Sequence, residues 1–188
     1  ADAAGRLAAA VSAELPPLRL DKARFRVTLE PLPADEHGPH GAERVQFEVA
    51  TNPGQPFGAL GRLASGGELS RLMLALKVVL AGLDSPPTLI FDEVDAGIGG
   101  ATADAVGERL ARLGESRQVL VVTHAAQVAA RARHHLRVLK SDHAGTTRVA
   151  VERLDPAARR EEIARMLAGA AVTAAAREAA RSLIRAAR

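Results

Sequence analysis

Residues 88 to 100 read "TLIFDEVDAGIGG". A β-favouring apolar run, Thr88 to Phe91, breaks at once into two acids, Asp92 and Glu93, and then into a turn of small residues and glycine. A run this short and continuous reads as a strand covered on both faces, the habit of parallel sheets. Ligands of such sheets gather outside the carboxyl ends of the strands, where both acids fall. Two readings stay open on these residues. In one, the acids cap a strand and Asp95 starts the next turn. In the other, Asp92 holds a magnesium ion through water, since a hard cation takes oxygen ligands, and Glu93, in a partly desolvated crevice, takes a proton from an attacking water.

Downstream the pattern continues as helix, strand and helix. Residues 101–113 have helical periodicity, "QVLVVT" is a second apolar run, and a short helix is expected from Ala125. This alternation predicts a parallel α/β sheet, with His124 at the same carboxyl edge as the acids, placed to sense a terminal phosphate. "HHLRVLK" and "TTRVAVERL" alternate like the arms of a hairpin turned by "SDHAG", and helices are expected over 157–168 and 173–187.

Upstream, "ASGGELSR" (64–71) opens a helix expected from Gly66 to about Leu83, with Leu69, Leu72, Met73, Leu76, Val79, Leu80 and Leu83 on its apolar face. Ser65 and Glu68 have capping-box spacing. Gly66 and Gly67 leave the backbone open to close approach, and free amides at the positive end of a helix form an anion seat. The same residues also describe an ordinary well-capped helix. Strands from Arg24 ("RFRVTLE") and Glu43 ("ERVQFEVA") alternate as an antiparallel pair. The loop between them carries His37 and His40, which read as part of a solvated turn because no other ligand types accompany them. Residues 1–15 read as the end of a helix stopped by Pro16 and Pro17.

With 188 residues and 47% hydrophobic content, the chain supports one sizeable core. The absence of cysteine excludes disulfides and thiolate metal sites, and the longest apolar runs are too short to span a bilayer. A cytoplasmic protein without a membrane segment is therefore expected. A net charge of +3 is a mild attraction for polyanions and no nucleic-acid signature by itself. The start at Ala1, inside an alanine-rich helical stretch, suggests a piece of something longer.

In order, the chain has a serine- and glycine-rich helix start, a helix, a strand ending in two acids, an aspartate two residues later and a strand ending at histidine. This combination resembles the carboxyl-terminal half of an ABC-type ATPase head, with "ASGGE" similar to the signature motif, "TLIFDE" to the Walker B strand, "VDAG" to the D-loop and His124 to the switch histidine. "NPGQP", "LASGGELSRLMLALK" and "IFDEVDAGIGG" resemble, more narrowly, the RecN family, bacterial relatives of the SMC proteins that act in DNA double-strand-break repair. The alanine before Ser65 and the glutamate at Glu68 agree with this family rather than with membrane transporters.

The resemblance implies an α/β fold, the carboxyl-terminal lobe of a P-loop NTPase head of ABC type, with a mixed, partly parallel sheet and flanking helices. Residues 1–15 would be the returning end of a coiled coil and 16–188 half of the head. No "GxxxxGK[ST]" occurs in the chain, so the phosphate loop would come from an amino-terminal segment of the same protein. ATP and Mg2+ are the implied cofactors. Asp92 would complete the metal site, Glu93 would deprotonate the hydrolytic water and His124 would contact the γ-phosphate. Ser65, Gly66, Gly67 and Glu68 would face the nucleotide of a second copy, with Asp95 bridging the interface. A homodimer sandwiching ATP, tethering DNA near the nucleoid, is the assembly implied. A nucleotide-gated clamp with hydrolysis as a slow timer is the competing function; half of a transporter is disfavoured because its phosphate loop would lie close upstream. Arg177, Arg181, Arg185 and Arg188 recur at helical spacing, either as a DNA-facing stripe or as a solvated face. Alone, the segment is expected to be inactive and marginally stable, because a halved sheet leaves an open edge and a bare apolar face.

Overall fold

The structure, a computed structural model, describes residues 2–39, 41–62, 66–81, 86–92, 94–143, 146–169 and 171–187. In chain order the elements are α1 (Asp2–Glu14), β1 (Arg24–Pro31), β2 (Glu43–Ala50), β3 (Gly58–Ala59), α2 (Gly66–Val79), β4 (Thr88–Asp92), α3 (Gly100–Leu113), β5 (Gln118–Val122), α4 (Ala126–Arg131), β6 (Leu136–His143), β7 (Thr146–Arg153), α5 (Pro156–Ala168) and α6 (Ala174–Ala186). The mixed, partly parallel character is present among the described residues as three small sheets rather than one. β1 and β2 pair antiparallel with β3 added to β2, β4 and β5 pair parallel, and β6 and β7 form an antiparallel hairpin. Its arms pair as far as His143 and Thr146, so Ser141 and Asp142 belong to the strand rather than to the turn.

The larger core joins α1 through Val11, β1 and β2 through Phe25 and Val49, α2 through Leu72 and Leu76, and α3 through Val106 and Leu110. A smaller one holds α4 against α5 and α6 through Ala126, Ala130, Ile163, Ala164 and Ala180. Helix starts follow from side-chain caps: Asp155 accepts from the amides of Ala157 and Ala158 ahead of α5, and Thr173 accepts from Ala176 ahead of α6.

Two expectations change. The continuous apolar runs of β4 and β5 predict cover on both faces, yet Ile90 is 71% exposed, Leu120 44% and Val122 62%, while Leu89 is buried. Strand side chains alternate, and the described helices cover only the face of Leu89, Phe91, Val119 and Val121. Helix α2 ends at Val79, short of the Leu83 expected, which lies outside the described residues. Its buried residues are Arg71, Leu72, Leu74, Ala75 and Leu76, whereas Met73 shares an outer stripe with Gly66, Ser70 and Lys77.

Helix α1 is fastened to α3 by Glu14, which accepts from Arg109 Nε at 3.0 Å and from Arg112 Nη2 at 2.6 Å. Burial alone would raise the Glu14 carboxyl, but the hydrogen bonds and charges of Arg112 and Arg109 outweigh it and hold it below the usual glutamate range. With the folded pKa below the unfolded one, the contribution is whole above the unfolded value and fades as pH falls through the folded value. Because Arg112 is half exposed, Glu14→Gln should cost only about 1 kcal/mol near neutral pH. Urea midpoints should show this deficit shrinking in acid; a deficit independent of pH would reject the assignment.

Candidate functional site

Pairing in parallel puts the carboxyl ends of β4 and β5 side by side, with Asp92 opposite Val122 and His124 two residues further on. Strand alternation sets Asp92 on the uncovered face, in line with Ile90, and its side chain is exposed. Glu93 lies outside the described residues. The chain then dives inward, since Val94 and Asp95 have no accessible surface. Asp95 Oδ2 accepts from Thr123 Oγ1 at 2.5 Å, from Ala125 N at 3.0 Å and from His124 N at 3.3 Å. It lies 3.6 Å from His124 Nδ1, while the imidazole itself is 76% exposed. The carboxylate implied to bridge two heads is therefore turned inward and encloses the end of β5. Its reach goes to a neighbouring strand because that strand ends beside it in register.

The loop after β4 also meets the start of α2. A Cβ on Gly67 would stand 3.1 Å from the Ala96 carbonyl oxygen and 3.3 Å from Arg71 Nη1, so a side chain there would fit only if the Ala96 backbone gave by a few tenths of an ångström. Among the described residues a Cβ on Gly66 would meet nothing within 4 Å, so they leave that side of the first turn open. Ser65 lies outside the described residues; Glu68 lines a shallow groove with Leu20, Val49 and Leu72. Arg71 reaches the same loop, donating from Nη1 to the Ala96 carbonyl at 3.5 Å. Thus Gly67, Ala96, Asp95 and His124 form one contiguous patch.

No protein-family model matches the chain. It is 52% identical over 158 residues to the DNA repair protein RecN of Xylella fastidiosa (strain Temecula1), a match covering 84% of this chain and 28% of that protein. It is 46% identical over 197 residues to the DNA repair protein RecN of Streptomyces coelicolor, covering 100% of this chain and 34% of the relative. The segment belongs to the RecN family. It spans about a third of the length of the relatives it matches. The RecN-family segment shares its fold with the Smc head domain, with coiled coil and joint, of Pyrococcus yayanosii, at a TM-score of 0.59 and 21% identity over 84% of this chain and 28% of that one.

Two residues of this RecN-family segment carry little signal in the sequence. Thr123 donates to Asp95, and the signal was only its place between an apolar strand and His124. Arg71 interrupts an otherwise apolar face of α2, an irregularity that marks a buried charge. Two arginines of the α6 stripe are paired instead: Arg177 donates to both oxygens of Glu161 on α5 and Arg181 to Glu178 of its own helix, while Arg188 lies outside the described residues. Neighbouring arginines behave likewise, Arg131 with Asp104 and Arg137 with Glu152 and Glu162. These pairs favour the solvated, structural account of the basic clusters.

Proposed function

We propose that the chain is the carboxyl-terminal half of an ATP-hydrolysing head, which closes on a second copy of itself around ATP and serves DNA double-strand-break repair. The observation that carries this reading is convergence: one buried carboxylate fastens the ends of β4 and β5, and the loop bearing it abuts the glycine start of α2. Asp92 supplies one oxygen ligand to Mg2+. Its exposed carboxylate fits that role, and among the described residues no group of three His, Asp or Glu could hold a metal unaided. Mg2+ accepts one or two carboxylates and completes its shell with water and phosphate oxygens. When bound it neutralises charge on the phosphates.

Glu93 orients and deprotonates the attacking water, and the exposed His124 ring meets the γ-phosphate of the nucleotide held in its own head. Ser65, Gly66, Gly67 and Glu68 seat the γ-phosphate held by the opposing head, through the free amides of α2. Asp95 acts within its own head by fixing the strand that carries His124. The amino-terminal segment brings the phosphate loop and covers the face of Ile90, Leu120 and Val122; α1 is the returning end of the coiled coil that joins the two. The whole protein acts in the cytoplasm on nucleoid DNA, with Arg177 of the α6 stripe joining α6 to α5 through Glu161.

The test is ATP hydrolysis and dimerisation by this chain alone and then mixed with the amino-terminal segment. Activity is expected only in the mixture. Equal activity from this chain alone would reveal a phosphate site within it and overturn the split-head reading.

A further inference from the structure

A guanidinium is costly to bury, and one held by a single long hydrogen bond adds little to stability. Among the described residues, Arg71 is in that condition. It is 8% accessible within the buried face of α2, its Nη1 donates to the Ala96 carbonyl at 3.5 Å, and its Nε has no partner among the described residues. Long side chains on a helix run back toward its amino terminus, which brings this one beside Gly67 in the first turn. That turn already carries the positive end of the helix dipole and its free amides. Burial holds the guanidinium below its usual pKa, while the charge of Glu68 pulls it back up. Two positive features pressed together are stabilised by an anion, and the open side of the same turn is where the proposed anion seat lies.

On its other side the guanidinium touches the loop that holds the strand ends. Ala96 follows Asp95, and Asp95 accepts from Thr123, His124 and Ala125. The groups from the first turn of α2 to His124 are therefore contiguous by packing or hydrogen bonding. We propose that Arg71 is a positioning residue that joins the partner-facing anion seat to the loop fixing the ends of β4 and β5, so that filling the seat sets the posture of His124. This inference rests on the ATP-sandwich reading above. With the seat filled, repulsion around the guanidinium is relieved and Ala96 is held firmly; with it empty, the cation is under-bonded and joins the loop by one long contact. The two arrangements differ in their affinity for the anion, which is what coupling between sites requires.

The experiment uses the full-length protein with Arg71→Met, which keeps much of the length and removes the charge. Removing a poorly paired buried ion should leave the thermal midpoint unchanged or raise it. The KM for ATP should stay within about twofold, while kcat and ATP-dependent dimerisation fall between about 5- and 150-fold. Arg71→Lys should restore part of the dimerisation through its charge but little of kcat, because lysine lacks the fork that reaches Ala96. Unchanged kcat and dimerisation in Arg71→Met, or losses that only track a lowered thermal midpoint, would make Arg71 a packing residue and overturn the proposal. Should Arg71→Met not fold, normal kcat in Arg71→Lys overturns it equally. Glu93→Gln is measured in parallel. If that variant hydrolyses ATP at an unchanged rate and forms no persistent ATP-dependent dimer, the sandwich reading fails; if it is slowed and stays dimeric while Arg71→Met is normal, only this inference fails.

Discussion

Asp95→Ala should be among the most damaging single changes in this chain. The carboxylate has no accessible surface, and the substitution would strand the Thr123 hydroxyl and the amide of His124, which now donate to Oδ2, and leave the Ala125 amide with Thr123 Oγ1 alone. Each buried group left without a partner costs about 1–3 kcal/mol, and solvent reaching the two partly exposed ones reduces the total, so we expect a loss of about 2–4 kcal/mol. For a chain of this size that corresponds to a fall of roughly 10 °C in Tm. Urea or thermal unfolding measures it directly. A midpoint within about 1 kcal/mol of the unmodified chain would mean that the strand ends are held by something else. Asp95→Asn is the informative companion, because it keeps an acceptor oxygen and removes the charge.

Glu93→Gln in the reassembled head should lower ATP hydrolysis about 10²- to 10⁴-fold, the usual worth of a positioned general base, with little change in nucleotide binding. Because the glutamine keeps shape and removes only basicity, heads should close around ATP and remain closed. Gel filtration with ATP and Mg2+ would show dimers that persist in the variant and decay in the unmodified head. Hydrolysis at an unchanged rate would dismiss Glu93 as the base. The same variant separates a motor from a timer: a protein that needs turnover loses DNA repair, whereas a clamp timed by hydrolysis stays clamped and keeps tethering.

Much of the framework was legible in the chain because it depends on local signals. Pro16 and Pro17 stop α1, the alternation of "RFRVTLE" and "ERVQFEVA" gives β1 and β2, and the periodic apolar residues of 101–113 give α3. What was missed depends on neighbours brought together in space. An apolar run such as "TLIF" cannot tell one covered face from two, since the answer lies in what packs against Ile90. The spacing of Asp95 from Glu93 puts it in a turn but does not say which way it points; that is fixed by the adjacent end of β5. Likewise Met73 and Leu74 exchange inside for outside because contacts on two sides, not the average period, decide which stripe of α2 is buried.

The uncovered side of β4 and β5 places Ile90, Leu120 and Val122 under two opposed demands. Assembly rewards residues that are apolar and flat, because those make a firm seat for a partner. Colloidal solubility of the unassembled chain rewards polar ones, because a bare β-rich surface beside an open strand edge invites association with any similar surface. Neither demand can be met in full by the same three side chains. The tension is relieved not by sequence but by time: the shorter the interval before the face is covered, the less its stickiness matters. In the split head proposed above, carrying both halves on one polypeptide would shorten that interval, since closure would then proceed at the high effective concentration of a tethered partner rather than at the mercy of diffusion.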